Sequence, residues 1–82
     1  MTAELLSQLE QAENVLRDLG YQQFRVRHHG TVARIELLPE DFHRAVSTDR
    51  EAMTRGIRAA GYLYVSLDLT GYRTGAMNET LA

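Results

Sequence analysis

Arg25 and Arg27 flank Val26, and Arg34 follows seven residues later, in a stretch that holds no acid. Arginines two apart on a strand share a face, and those on a paired strand stand roughly 5–8 Å away. Guanidinium forks at that spacing suit one phosphate or carboxylate. Glu36 and Asp68 are the acids placed to offset part of this charge. Tyr62 and Tyr64 offer ring faces that would stack on an aromatic ligand. The competing reading is a solvated sheet face held by ion pairs across strands, and the residues alone leave both open.

Other chemistry is thinly represented. His28 and His29 are neighbours, so on a strand they point to opposite faces and cannot share one metal without a bend. His43 lies in a helical stretch, and turn or cap hydrogen bonding suits all three better than ligation. No metal site is expected. Ser7, Ser47 and Ser66 lie outside any G-x-S-x-G setting, and no phosphate-binding P-loop occurs. An acid–base pair of Glu36 with Asp68 has nothing to raise it above an ion pair. Taken alone, the chain lacks the equipment of an enzyme.

Composition narrows the class. Eighty-two residues make a single small domain, 1–82, and 44% hydrophobic with 24% charged residues argues against a disordered chain. There is no cysteine, which removes disulfides, thiolate metal sites and cysteine nucleophiles together. Nine basic residues against eleven acidic ones disfavour binding to nucleic acid or to an anionic membrane. Every basic residue is arginine, which fits either a GC-rich genome or a use for planar bidentate donors. No apolar run nears the ~20 residues of a membrane span, and the first residues lack the basic and apolar regions of a signal peptide. A cytoplasmic location is expected.

The elements that must position these groups follow from periodicity. Leu5, Leu9, Ala12, Leu16 and Leu19 form a helical stripe, with Thr2 as N-cap and Gly20 as its end. The period then changes to two, with Phe24 and Val26 opposite Arg25 and Arg27. Gly30 marks a turn, and Ala33, Ile35 and Leu37 alternate with Val32, Arg34 and Glu36, so a hairpin is predicted. Pro39 opens a short helix. Thr48 and Glu51 match a capping box for a second helix bearing Met53, Ile57 and Ala60, closed by Gly61. Leu63, Val65 and Leu67 then alternate with Tyr62, Tyr64, Ser66 and Asp68 as a third strand. Residues 70–82 read as an irregular tail.

The fold class is therefore α+β, a two-layer α-β-β-α-β unit with its helices on one face of a three-stranded sheet. The order 2-1-3 is favoured, which would put Arg25 and Arg27 mid-sheet. The order 1-2-3 is the alternative.

One family resemblance spans 9–81. Phe24-Arg25-Val26-Arg27-His28-His29-Gly30 followed by Ala33-Arg34-Ile35-Glu36, and Asp68-Leu69-x-Gly71-Tyr72-Arg73-x-Gly75-x-Met77-Asn78-Glu79, resemble the C-terminal domain of LarE-type proteins. These are ATP-dependent sacrificial sulfur transferases of the PP-loop superfamily. They thiolate a pyridinium mononucleotide during biosynthesis of the nickel-pincer cofactor of lactate racemase. The family's PP-loop and sulfur-donating cysteine have no counterpart here, so catalysis by this chain alone is not expected.

The resemblance implies a non-catalytic accessory domain that helps bind an anionic, nucleotide-like substrate and assembles with a PP-loop ATPase domain or subunit. ATP and magnesium would belong to that missing domain, and this chain is expected to bind no cofactor itself. Arg25 and Arg27 match the family's R-V-R motif, expected to face the substrate phosphate or sulfur donor. Arg34 and Glu36 match A-R-I-E, with a polar or metal-proximal role implied for Glu36. A homo-oligomer is possible within this picture, and a purely structural oligomerisation module is the alternative.

Overall fold

The computed structural model describes residues 2–73. Helix α1, Ala3–Asp18, starts where the Thr2 hydroxyl accepts the Leu5 N–H at 3.1 Å. It ends in a Schellman turn: Tyr21 N–H reaches the Leu16 carbonyl at 3.1 Å, and Gly20 N–H reaches Arg17 at 3.0 Å. Gly20 has φ +98° there, a conformation that favours glycine.

Strands β1, Phe24–His29, and β2, Val32–Leu37, form the predicted antiparallel hairpin. Positive φ falls only on Gly30 of the two-residue link, the position a II′ turn reserves for glycine. A 3-10 turn, Pro39–Asp41, and a π-helical turn, Arg44–Thr48, lead into α2, Arg50–Ala59. Strand β3, Tyr64–Leu67, completes the sheet.

The α+β class and two-layer plan stand, but the strand order is β1-β2-β3, not 2-1-3. β3 runs parallel to β2, with Ala33 beside Val65 and Ile35 beside Leu67. The segment through α2 is long enough for the crossover that a parallel neighbour requires. Burial explains the choice. Ala33, Ile35 and Leu37 are almost fully buried, which suits a central strand, while the arginines of β1 suit an edge, where charge deters further pairing.

Three further expectations change. Asp49, not Thr48, is the N-cap of α2, and its side chain makes no cap hydrogen bond. That carboxylate is committed elsewhere, as described below. Tyr62 is buried rather than on the open face, and Leu63 is exposed rather than in the core. The cause is a slip of phase before β3: Leu63 N–H and Tyr64 N–H both point at the Thr31 carbonyl, at 2.9 and 3.1 Å. Finally, the start of the expected tail is docked. Tyr72 N–H donates to the Leu37 carbonyl at 2.7 Å, and Gly71 is buried. Residues 74–82 of that tail lie outside the described residues.

The core lies between the helices and one sheet face, built from Ala12, Leu16, Val26, Ile35, Leu37, Met53, Ile57 and Tyr62. Gly56 lets α2 approach α1 closely. A Cβ there would sit 2.8 and 2.9 Å from the two methyls of Val15.

Candidate functional site

The helix-free face is where the sequence-predicted site residues meet. Register sets Arg25 opposite Glu36 and Arg27 opposite Arg34. Two like charges facing each other across strands are unfavourable unless compensated. Compensation comes from Glu36, whose Oε2 lies 3.3 Å from both Arg27 Nε and Arg34 Nη2. Arg34 also approaches Asp68, Nε to Oδ2 at 3.5 Å. That contact is electrostatic only, because Arg34 Nε is buried and has no hydrogen-bond acceptor among the described residues. A ladder Arg27–Glu36–Arg34–Asp68 therefore runs from β1 across β2 to the residue that follows β3.

Arg25 stands outside the ladder. It is exposed and has no ion pair among the described residues. Three arginines against two carboxylates leave this face positive, with the excess at the β1 edge. The strand order thus moves Arg25 and Arg27 from the expected middle of the face to its rim, and gives the middle to Arg34 and Glu36. Of the two tyrosines expected here, only Tyr64 is exposed. The arrangement can hold an anion at the rim, where Arg25 is free and Arg27 is half-exposed.

Two polar contacts were not legible in sequence. Tyr62 is directed at the helix side of β1, its hydroxyl 2.9 Å from His28 Nδ1 and its ring edge-on to the imidazole at 5.4 Å. Burial raises the Tyr62 pKa above the ordinary phenol value. At the other end of the core, the Tyr21 hydroxyl donates to Asp49 Oδ2 at 2.7 Å. Arg44 Nε pairs with the same oxygen at 2.9 Å, its guanidinium lies over the Tyr21 ring at 4.3 Å, and it donates to the Leu19 carbonyl. This knot ties the end of α1 to the start of α2. Burial, then the bond to Asp49, pushes the Tyr21 phenol far up. Tyr21 and Asp49 are 28 residues apart, and no local spacing links them.

Neither knot brings a nucleophile to a base. His43 meets Ser47 only through its own backbone carbonyl, at 2.6 Å. Among the described residues, no three His, Asp or Glu side chains gather as metal ligands, and no helix is long and apolar enough to cross a membrane.

Fold and face together define a small α+β domain whose helix-free face carries arginine as its principal charged group. Comparison with known proteins finds relatives that match nearly the whole of this chain. The chain is 45% identical over 85 residues to the pyridinium-3,5-bisthiocarboxylic acid mononucleotide synthase of Lactiplantibacillus plantarum, covering 99% of this chain and 29% of that protein. It is 42% identical over 82 residues to the uncharacterized protein slr1717 of Synechocystis sp., covering 99% of this chain and 31% of that protein. The chain thus spans less than a third of the length of these curated relatives. No family model matches it.

Proposed function

We propose that the chain serves as a non-catalytic accessory domain of a LarE-like, PP-loop, ATP-dependent sulfur transferase system, acting in the cytoplasm in nickel-pincer cofactor biosynthesis. It corresponds to the C-terminal domain of such an enzyme. Arg25 and Arg27 would hold the phosphate of an anionic pyridinium mononucleotide, and Arg34 and Glu36 would set the charge beside them. The catalytic domain or subunit would hold ATP and magnesium and complete the site. The observation that carries this reading is the match itself: nearly all of this chain, but under a third of a protein named for making a pyridinium mononucleotide. The free Arg25 at the rim supports it chemically.

Amide chemical shifts during titration with phosphate, then with nicotinic acid mononucleotide, test the reading. Saturable shifts centred on Arg25, Arg27 and Arg34, lost in R25A/R27A with the fold intact, are expected. An unresponsive face up to millimolar ligand would remove this chain's own share in binding. The ion-pair ladder favours a second reading, a structural assembly module whose arginines are spent on carboxylates. Loss of assembly in R25A/R27A without any ligand effect would select it.

A further inference from the structure

The two edges of the sheet are unlike. β1 carries Arg25, Arg27 and His29, charged or polar side chains that deter pairing. β3, Tyr64–Leu67, carries no charge and no proline, and no described strand lies along its outer side. Tyr64 and Asp68 donate their N–H groups inward, to the Thr31 and Ile35 carbonyls. By the period of two, the N–H and C=O groups of Val65 and Leu67 point outward.

Apolar surface gathers at this same edge. Of the five large hydrophobic residues exposed among the described residues, four flank it: Val46 at 57%, Leu63 at 56%, Tyr64 at 64% and Leu69 at 81%. Val46, Ala45, Met53, Val65 and Leu67 line an apolar groove between the edge and α2. Patches of this kind mark interaction sites.

We propose that this edge pairs with the same edge of a second copy of the chain, antiparallel about a two-fold axis at Ser66. The register follows from the outward groups. Val65 faces Leu67 of the second copy and Leu67 faces its Val65, each pair exchanging both N–H···O=C bonds. Centring on Val65 instead would need the N–H of Leu63, which is already given to Thr31. Centring on Leu67 would need Leu69, which lies in the turn after the strand.

The Ser66 register is also chemically self-consistent. It sets exposed Leu63 toward exposed Leu69 of the second copy. It sets the Tyr64 phenol, a donor, toward the Asp68 carboxylate. Uncharged Ser66 meets itself on the axis, so no like charges face one another. The product is a continuous six-stranded sheet. An edge of four residues offers a small contact beside the standard ~1,600 Å², so dimer is expected at high protein concentration. This pairing uses the sheet edge opposite the arginine rim and shares with the ion-pair ladder only Asp68, which also lies 3.5 Å from Arg34.

The chain has no cysteine, so S66C supplies a single thiol. In a non-hydrogen-bonded antiparallel pair the Cα atoms stand ~4.5 Å apart, within the range a disulfide spans. The control is E10C, on the exposed side of α1. At equal high concentration under mild oxidation, S66C is expected to form disulfide dimer at least ~tenfold faster than E10C, through the effective concentration a dimer provides. Adding L63K and L69K, both at exposed positions, should return S66C to the control rate while circular dichroism stays unchanged. Equal rates for S66C and E10C would overturn the proposal, as would insensitivity to the two lysines.

Discussion

The Tyr21 hydroxyl donates to the Asp49 carboxylate at 2.7 Å across 28 residues of sequence. Both residues are buried, so each side of the bond is costly to leave unmet. Tyr21→Phe keeps the ring under Arg44 and deletes only the donor. It should lower unfolding free energy by about 1–2 kcal/mol, read as a shift of the urea midpoint at constant slope. Asp49→Ala also strips Arg44 of its ion pair and should cost more.

Burial of two phenols, reinforced at Tyr21 by the bond to Asp49, sets a pH dependence. The phenols of Tyr21 and Tyr62 are raised in the folded chain, against an unfolded value of ~10. Folding favours the protonated form, so its contribution is fully present below ~10 and falls as pH rises past it, because the unfolded chain then loses protons the folded one keeps. Urea midpoints should therefore decline above about pH 10, and less steeply in Tyr21→Phe. An equal decline in that variant would refute the assignment to Tyr21.

Gly56→Ala tests the helix contact. A Cβ at 2.8 Å from Val15 forces the helices apart. Overpacking of that kind costs about 1–3 kcal/mol and outweighs the ~1 kcal/mol that alanine gains in helix propensity. Pairing it with Val15→Ala makes room, and the double variant should be more stable than Gly56→Ala alone. Thermal or urea unfolding of the three variants decides this.

Glu36→Gln removes the carboxylate shared by Arg27 and Arg34. The arginines are part-exposed but the Glu36 side chain is only 13% exposed, so the loss of stability should be about 1–2 kcal/mol. The face becomes more positive, and phosphate should bind more tightly to this variant than to the parent in a salt-dependent titration. Unchanged or weaker binding would mean the rim arginines do not act on anions.

Much of the architecture was legible because it is local. The end of α1 at Gly20, the hairpin at Gly30 and the alternation in β2 all rest on residues a few positions apart. Alternation also placed Arg25, Arg27, Arg34 and Glu36 correctly on one face. It did not say which strand lies beside which, since a face pattern is the same for either neighbour. The place of Arg25 at a rim therefore had to come from the fold. Tyr62 falls on the other face because the alternation breaks by one residue where Leu63 and Tyr64 both meet Thr31, and that break leaves no mark in the sequence. Thr48 and Glu51 spelled a capping box, yet Asp49 next door was drawn into a distant bond that no local rule contains.

The parallel crossover between β2 and β3 also orders events in time. Arg27, Glu36 and Arg34 belong to one hairpin, whose closure is short-range. Asp68 lies 32 positions beyond Glu36 and joins them only after α2 has folded back across the sheet. Long-range parallel pairing is slow compared with hairpin closure. Folding kinetics of Ile35→Val and Val65→Ala should separate the two steps, with the hairpin position more native-like in the transition state. The guanidinium cluster is then assembled before the domain is finished, and the last strand to arrive adds its final counter-charge.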